Sequence, residues 1–186
     1  MSVAVTKLGV GGALLLHTAY RPDARGGFAK PYAAEVAEAL PGFSVAEMFW
    51  SRSASGVVRG LHFQRPPSAV AKLVFVSQGR IRDVILDLRS DSPTFTKHVA
   101  VELDEAGGAV FVPVGCAHGF EVLDGPAVTC YLQSGDFDPA TDAGVRWDSA
   151  AIAWTVADPQ LSERDRTLPA LADLPALTAA EWGGRG

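Results

Sequence analysis

The chain has 186 residues, a hydrophobic fraction of 48%, 20% charged residues and a net charge of −5, which suits one globular domain with a sizeable core. That charge argues against nonspecific nucleic-acid or anionic-membrane partners, although a local cluster of Arg and Lys can still hold a small anion. Cys116 and Cys130 are too few for a disulfide framework, and no run approaches the roughly 20 apolar residues that cross a bilayer or carries a cleavage pattern, so a soluble, cytoplasmic protein is expected.

Ala13 to His17 reads as a first strand. Arg21 to Phe28 reads as a loop that sets Arg21 and Arg25 beside the Gly26-Gly27 pair. Glycine admits close approach and arginine forks suit phosphate oxygens; a solvated surface loop fits these residues equally well. Tyr32 to Leu40 has helical spacing and stops at Pro41-Gly42. From Ser44 the pattern changes to short strands, at 44–51, 57–63, 72–77, 80–88, 96–103, 109–112, 119–123 and 127–133. Their separators include Gln78-Gly79, Pro113-Val-Gly115 and Asp124-Gly-Pro126. Such spacing predicts an antiparallel sandwich or barrel. With no dividing linker, residues 1–186 read as a single domain: an N-terminal strand and loop (1–43), a barrel core (44–137) and a C-terminal segment (138–186).

The chemistry concentrates between Gly56 and Val76, where Arg59, His62 and Lys72 stand among apolar, β-branched neighbours. Burying three such groups costs several kcal/mol unless each has a partner, so a lined cavity is expected rather than an ordinary core. Imidazole titrates nearest to neutrality, which makes His62 the candidate general base, with Asp165 a candidate partner. Arg59 and His62 are three apart, so an unbroken strand would point them to opposite faces. Both can serve one cavity only if Gly60 hosts a bulge. His118 and His62 are each solitary in sequence, and Arg59 and Lys72 would repel a cation, so no metal is expected.

Arg59-Gly-Leu-His-Phe-Gln64, Pro66-Pro67, Lys72-Leu-Val74, Asp83 to Arg89, Ser92-Pro-Thr94, Ala117-His-Gly-Phe120 and Leu161 to Asp165 together resemble the dTDP-4-dehydrorhamnose 3,5-epimerase family. The match is collinear from about Arg25 to Pro169. The resemblance implies an all-β, cupin-type antiparallel jelly roll that dimerises by exchanging strands and uses no cofactor. It implies that a nucleoside-diphosphate 4-keto-6-deoxyhexose is inverted at C3, C5 or both. His62 would be the base oriented by Asp165, Tyr131 the acid on the opposite face, and Lys72 the partner of the C4 carbonyl. Arg25, Arg59, His118, Glu47, Phe49, Asp142 and Arg164 would bind the sugar nucleotide.

The chain also departs from the family pattern. Glu47-Met48-Phe49 replaces a Gln-Asp-Asn run, Lys30 an acidic residue, and Gly27 and Asp136 two aromatics. These departures surround the nucleotide and the sugar rim and leave open which nucleotide and which carbon are used. Two rivals remain: a ketoisomerase moving the carbonyl between C4 and C3, and a non-catalytic sugar-nucleotide binding module.

Overall fold

In the computed structural model, which describes residues 3–183, most of the chain is antiparallel strand: β1 (Ala4–Lys7), β2 (Leu14–His17), β3 (Tyr20–Asp23), β4 (Gly26–Ala29), β5 (Glu47–Ser53), β6 (Val58–Gln64), β7 (Lys72–Asp87), β8 (His98–Asp104), β9 (Ala109–Val112), β10 (Cys116–Gln133) and β11 (Asp142–Gly144). The helices are short, α1 at Ala34–Ala39 and α2 at Glu163–Thr167.

Two long strands set the architecture. The Gln78-Gly79 and Asp124-Gly-Pro126 signals were expected to end strands; instead they bend them, so four expected strands become β7 and β10. Their ladder runs from Cys116–Asp87 to Gln133–Lys72, with register shifts around Asp124 and Val128. Gly79 sits at this corner with φ +77, and a Cβ there would lie 2.6 Å from the Asp124 carbonyl oxygen. Only glycine fits both the torsion and the contact.

The bends carry both strands from one layer to another. The first part of β7 pairs with β9, and its second part with β8. In β10, His118–Glu121 pairs with β6, while Ala127–Gln133 pairs with β5. Val74, Ile81, Ile85, Leu103 and Phe120 pack fully buried in one core cluster, each contributing about 1.5–3 kcal/mol by leaving water. This is a cupin-type jelly roll.

Smaller expectations need correction. The segment 21–28 is not a loop but the β3–β4 hairpin, a two-stranded sheet apart from the main one. Its apolar alternation is missing because little of it is buried. The expected helix is confined to Ala34–Ala39. The short strands β1 and β11 gave no pattern long enough to read.

One buried carboxylate pins the loop after β7. Asp87 is 0% exposed and accepts hydrogen bonds from the Arg89 backbone N–H and guanidinium, the Ser92 hydroxyl and the Thr94 hydroxyl. Burial pushes the carboxyl up, but these bonds outweigh it and hold Asp87 below the usual carboxylate range. Asp87→Ala strands Arg89 and two hydroxyls, and should lower stability in urea by about 3–5 kcal/mol at neutral pH. A carboxyl lowered on folding stabilises above its unfolded pKa and loses that effect as pH falls through its folded one. The gap between Asp87→Ala and the parent should therefore narrow in acid. A gap that is constant with pH would contradict this.

Candidate active site

The β6 strand does carry its extra residue at Gly60. His118 stands opposite His62 and Phe120 opposite Arg59, so three steps along β6 match two along β10, which is a β-bulge. Gly60 has φ +114, and a Cβ would lie 2.7 Å from Gly119 Cα and 2.8 Å from the His118 carbonyl oxygen. The bulge turns Arg59 onto the same side as His62. Both line one cavity of about 260 Å³ with Lys72, His118, Tyr131 and Arg164.

The walls come from different layers. β6 and the first half of β10 supply Arg59, His62 and His118; β5, the start of β7 and the second half of β10 supply Phe49, Ser51, Lys72 and Tyr131. An imidazole and a phenol thus look into the same space from two sides.

His62 Nε2 is 2.6 Å from Asp165 Oδ1, and Asp165 Oδ2 accepts from the Gly60 N–H at 3.2 Å. Asp165 is buried on α2, where the Ser162 hydroxyl caps its backbone N–H. Nε2 is therefore engaged and Nδ1 is the nitrogen left to take a proton. The His62 side chain remains 27% accessible, so a ligand can reach it. Burial holds His62 below its ordinary pKa despite the opposing pull of Asp165, and at neutral pH it is a free base. Asp165 is itself pushed up by burial, but the hydrogen bonds from His62 and the Gly60 N–H, together with the Arg164 charge, more than reverse this and keep it below the usual carboxylate range.

Burial lowers Lys72 to about 8; Asp142 opposes the fall and Arg164 adds to it. Arg164 Nη2 is paired with Asp142 Oδ2 at 2.7 Å. Tyr131 stacks on Phe49, with centroids 4.6 Å apart and planes at 13°, and meets His118 edge-on. Burial pushes its phenol above the ordinary value, and the adjacent Ser51 hydroxyl offsets only part of this. His118 Nε2 lies 2.6 Å from the buried Asp83 Oδ2. Arg59 donates to the Ser53 hydroxyl at 2.8 Å.

Chemically, this is a cavity with one unprotonated base, one firmly protonated acid and a lysine whose proton is easily lost. Arg59, Lys72 and Arg164 give it a cationic lining in an acidic protein, which suits an anionic ligand. Among the described residues no three of His, Cys, Asp or Glu converge as ligands for a metal ion.

Of the residues expected from the sequence, the structure brings His62, Tyr131, Lys72, Arg59, His118, Phe49, Asp142 and Arg164 to the cavity, with Asp165 directly behind His62. Two are not part of the lining within one chain. Arg25 lies on the β3–β4 hairpin, a sheet separate from the main one, with its side chain 90% exposed and paired with Asp23 at 2.6 Å. Glu47 does not line the cavity either; its Oε2 accepts from the Phe137 N–H at 2.7 Å.

That bond holds Phe137, 56% exposed and part of the cavity lining, which sequence reasoning missed. The signal was present, since Phe137 directly follows Asp136, where an aromatic was expected. Ser51, Gln64 and Gln133 also line the cavity. Gln64 closes the Arg59-Gly-Leu-His-Phe-Gln64 motif, whereas Ser51 and Gln133 carried no sequence signal, because polar residues in strands usually face solvent.

The sequence model of the dTDP-4-dehydrorhamnose 3,5-epimerase family matches residues 7–173. A dTDP-4-dehydrorhamnose 3,5-epimerase of Sinorhizobium fredii is 42% identical over 124 residues, which is 64% of each chain. A dTDP-4-dehydrorhamnose 3-epimerase of Streptomyces niveus is 38% identical over 171 residues, covering 89% of this chain and 83% of that one. Among solved structures, NovW, a 4-keto-6-deoxy sugar epimerase from the novobiocin cluster of Streptomyces spheroides, superposes with a TM-score of 0.90 at 36% identity, covering 97% and 96% of the two chains.

Proposed function

The chain belongs to the dTDP-4-dehydrorhamnose 3,5-epimerase family, and on that premise we propose that it inverts C3, C5 or both of a nucleoside-diphosphate 4-keto-6-deoxyhexose, with His62 lifting a proton and Tyr131 returning one from across the cavity. The observation that carries this reading is the placement of a neutral imidazole and a protonated phenol on two walls of one cavity that Lys72 also lines.

The ketone at C4 acidifies the hydrogens on C3 and C5. His62 Nδ1 takes one of these, and Asp165 steadies the imidazolium that results. The electrons move onto the C4 oxygen, where the Lys72 ammonium offsets the enolate charge in surroundings poor in water. Tyr131 then protonates the same carbon from the other face, which inverts it. Arg59, His118 and Arg164 suit the diphosphate and sugar hydroxyls. Phe49 and Phe137 offer flat apolar faces at the rim to a nucleobase, of thymidine in the first instance.

The protein works as a cytoplasmic homodimer in this reading. The β3–β4 hairpin of one copy lies against the cavity of the other, which gives the exposed Arg25 a phosphate to bind. Among the described residues β5 pairs with β10 alone, and its free edge, with Met48 and Trp50 exposed, supports such an exchange.

The test is incubation with dTDP-4-keto-6-deoxyglucose, followed by NMR of the sugar. Inversion at C3 or C5 is expected. A product with its ketone at C3 would make the protein an isomerase of the other kind, and binding without any conversion would make it a binding module.

Lys72 also predicts a pH dependence. It stabilises the enolate only as an ammonium, so kcat/KM should fall as pH rises through about 8. It should fall on the acid side only below the ordinary histidine pKa, since His62 must be neutral and is held low. Lys72→Arg keeps its charge and should move the alkaline limb upward; an unmoved limb would assign it to another group.

A further inference from the structure

Among the described residues, four buried side-chain polar atoms have no hydrogen-bond partner: Ser51 Oγ, Asp83 Oδ1, Thr129 Oγ1 and Trp182 Nε1. Leaving a buried polar atom unpaired destabilises a fold, so each invites a reason. Ser51 alone of these four lines the cavity just described.

Its position follows from the ladder between β5 and β10. Phe49 stands opposite Tyr131, and Ser51 stands opposite Thr129. Side chains alternate along a strand, so residues 49 and 51 share a face, as do 129 and 131. Ser51 is thus the diagonal neighbour of the phenol. Phe49 covers the flat of the Tyr131 ring and His118 meets it edge-on. The ring is held by groups that can give its oxygen no hydrogen bond from those positions.

This arrangement suits a phenol and is hostile to a phenolate. Burial raises the Tyr131 pKa, and the Ser51 hydroxyl is the first neighbour acting against it. In the proposed reaction the Tyr131 O–H bond breaks, a C–H bond forms at the enolate carbon, and the electron pair stays on the phenolate oxygen. That oxygen then needs a donor. A serine hydroxyl with no other engagement can rotate its hydrogen toward it.

We propose that Ser51 is a positioning residue for the second half of the reaction: it donates a hydrogen bond to the Tyr131 phenolate as that charge forms, and so sets how readily the phenol gives up its proton. Ser51 keeps its own proton throughout. The partner it lacks at rest is one that the reaction creates. This rests on Tyr131 being the acid.

The test separates proton removal from proton return. The protein is incubated with dTDP-4-keto-6-deoxyglucose in D2O, and two rates are read by NMR: deuterium entering recovered substrate without inversion, and inverted product. The first reports His62 and the second Tyr131. In Ser51→Ala, inversion should fall about 10- to 100-fold, the worth of a hydrogen bond to a charged group. Exchange into substrate should stay near the parent rate, with KM little changed. Ser51→Thr keeps the hydroxyl and should recover most of the inversion. Thr129→Val, which removes an orphaned hydroxyl outside the cavity lining, should leave both rates intact.

Equal rates of both processes in Ser51→Ala and the parent would overturn the proposal, as would a parallel loss of exchange and inversion. Tyr131→Phe distinguishes the two levels. If it keeps inverting, the assignment of the acid falls; if it stops while Ser51→Ala is unaffected, only the role of Ser51 falls.

Discussion

His62→Asn will turn over a 4-keto sugar nucleotide about 10²–10⁴-fold more slowly than the parent, which is what a placed general base contributes. Asparagine is the informative replacement. Asp165 is buried, and deleting the imidazole outright would leave its carboxylate without its main partner, a destabilising change in its own right. The side-chain amide can still donate to Asp165 but takes no proton at neutral pH. Affinity for dTDP, measured by calorimetry, should stay within a few-fold, because Arg59 and Arg164 are untouched. Melting behaviour should be near the parent's. Full activity in His62→Asn would remove the base from the mechanism.

Tyr131→Phe should lose inversion on the same scale, about 10²–10⁴-fold, while deuterium exchange into the substrate continues. The phenol is buried, and Ser51 Oγ has no hydrogen-bond partner at rest, so removing the phenol oxygen leaves that hydroxyl no worse satisfied than before. Stacking against Phe49 survives because it uses only the ring. Fold and binding should therefore be spared, which makes this the cleanest of the substitutions. Loss of exchange together with inversion would show that the phenol acts before the enolate forms.

Much of this site could be read from the chain alone. The spacing of Arg59 and His62 demanded a bulge at Gly60 if both were to face one cavity, and the Gly60–Gly119 crossing supplies it. The strand pattern fixed an antiparallel sandwich or barrel, but not its corners. Gly79 and Asp124-Gly-Pro126 have turn chemistry, and whether such residues end a strand or bend it depends on their partner. Here each faces the other across the β7–β10 ladder, a contact between positions far apart in sequence.

The same limit applies within the site. Pairing of Arg164 with Asp142, and of Glu47 with the Phe137 backbone, joins segments with no shared local pattern. Arg25 shows a different limit. Its Gly-rich surroundings suggest closeness to a ligand, but in this chain its hairpin stands clear of the cavity.

The central claim is that one ring hydrogen leaves to an imidazole and a different one arrives from the opposite face. Conversion in D2O by the unaltered protein, with position-resolved NMR of the inverted sugar, tests it directly. Each inverted carbon should carry a solvent deuteron, with none at C2. Inverted product that retains the substrate's own hydrogen at that carbon would contradict the account.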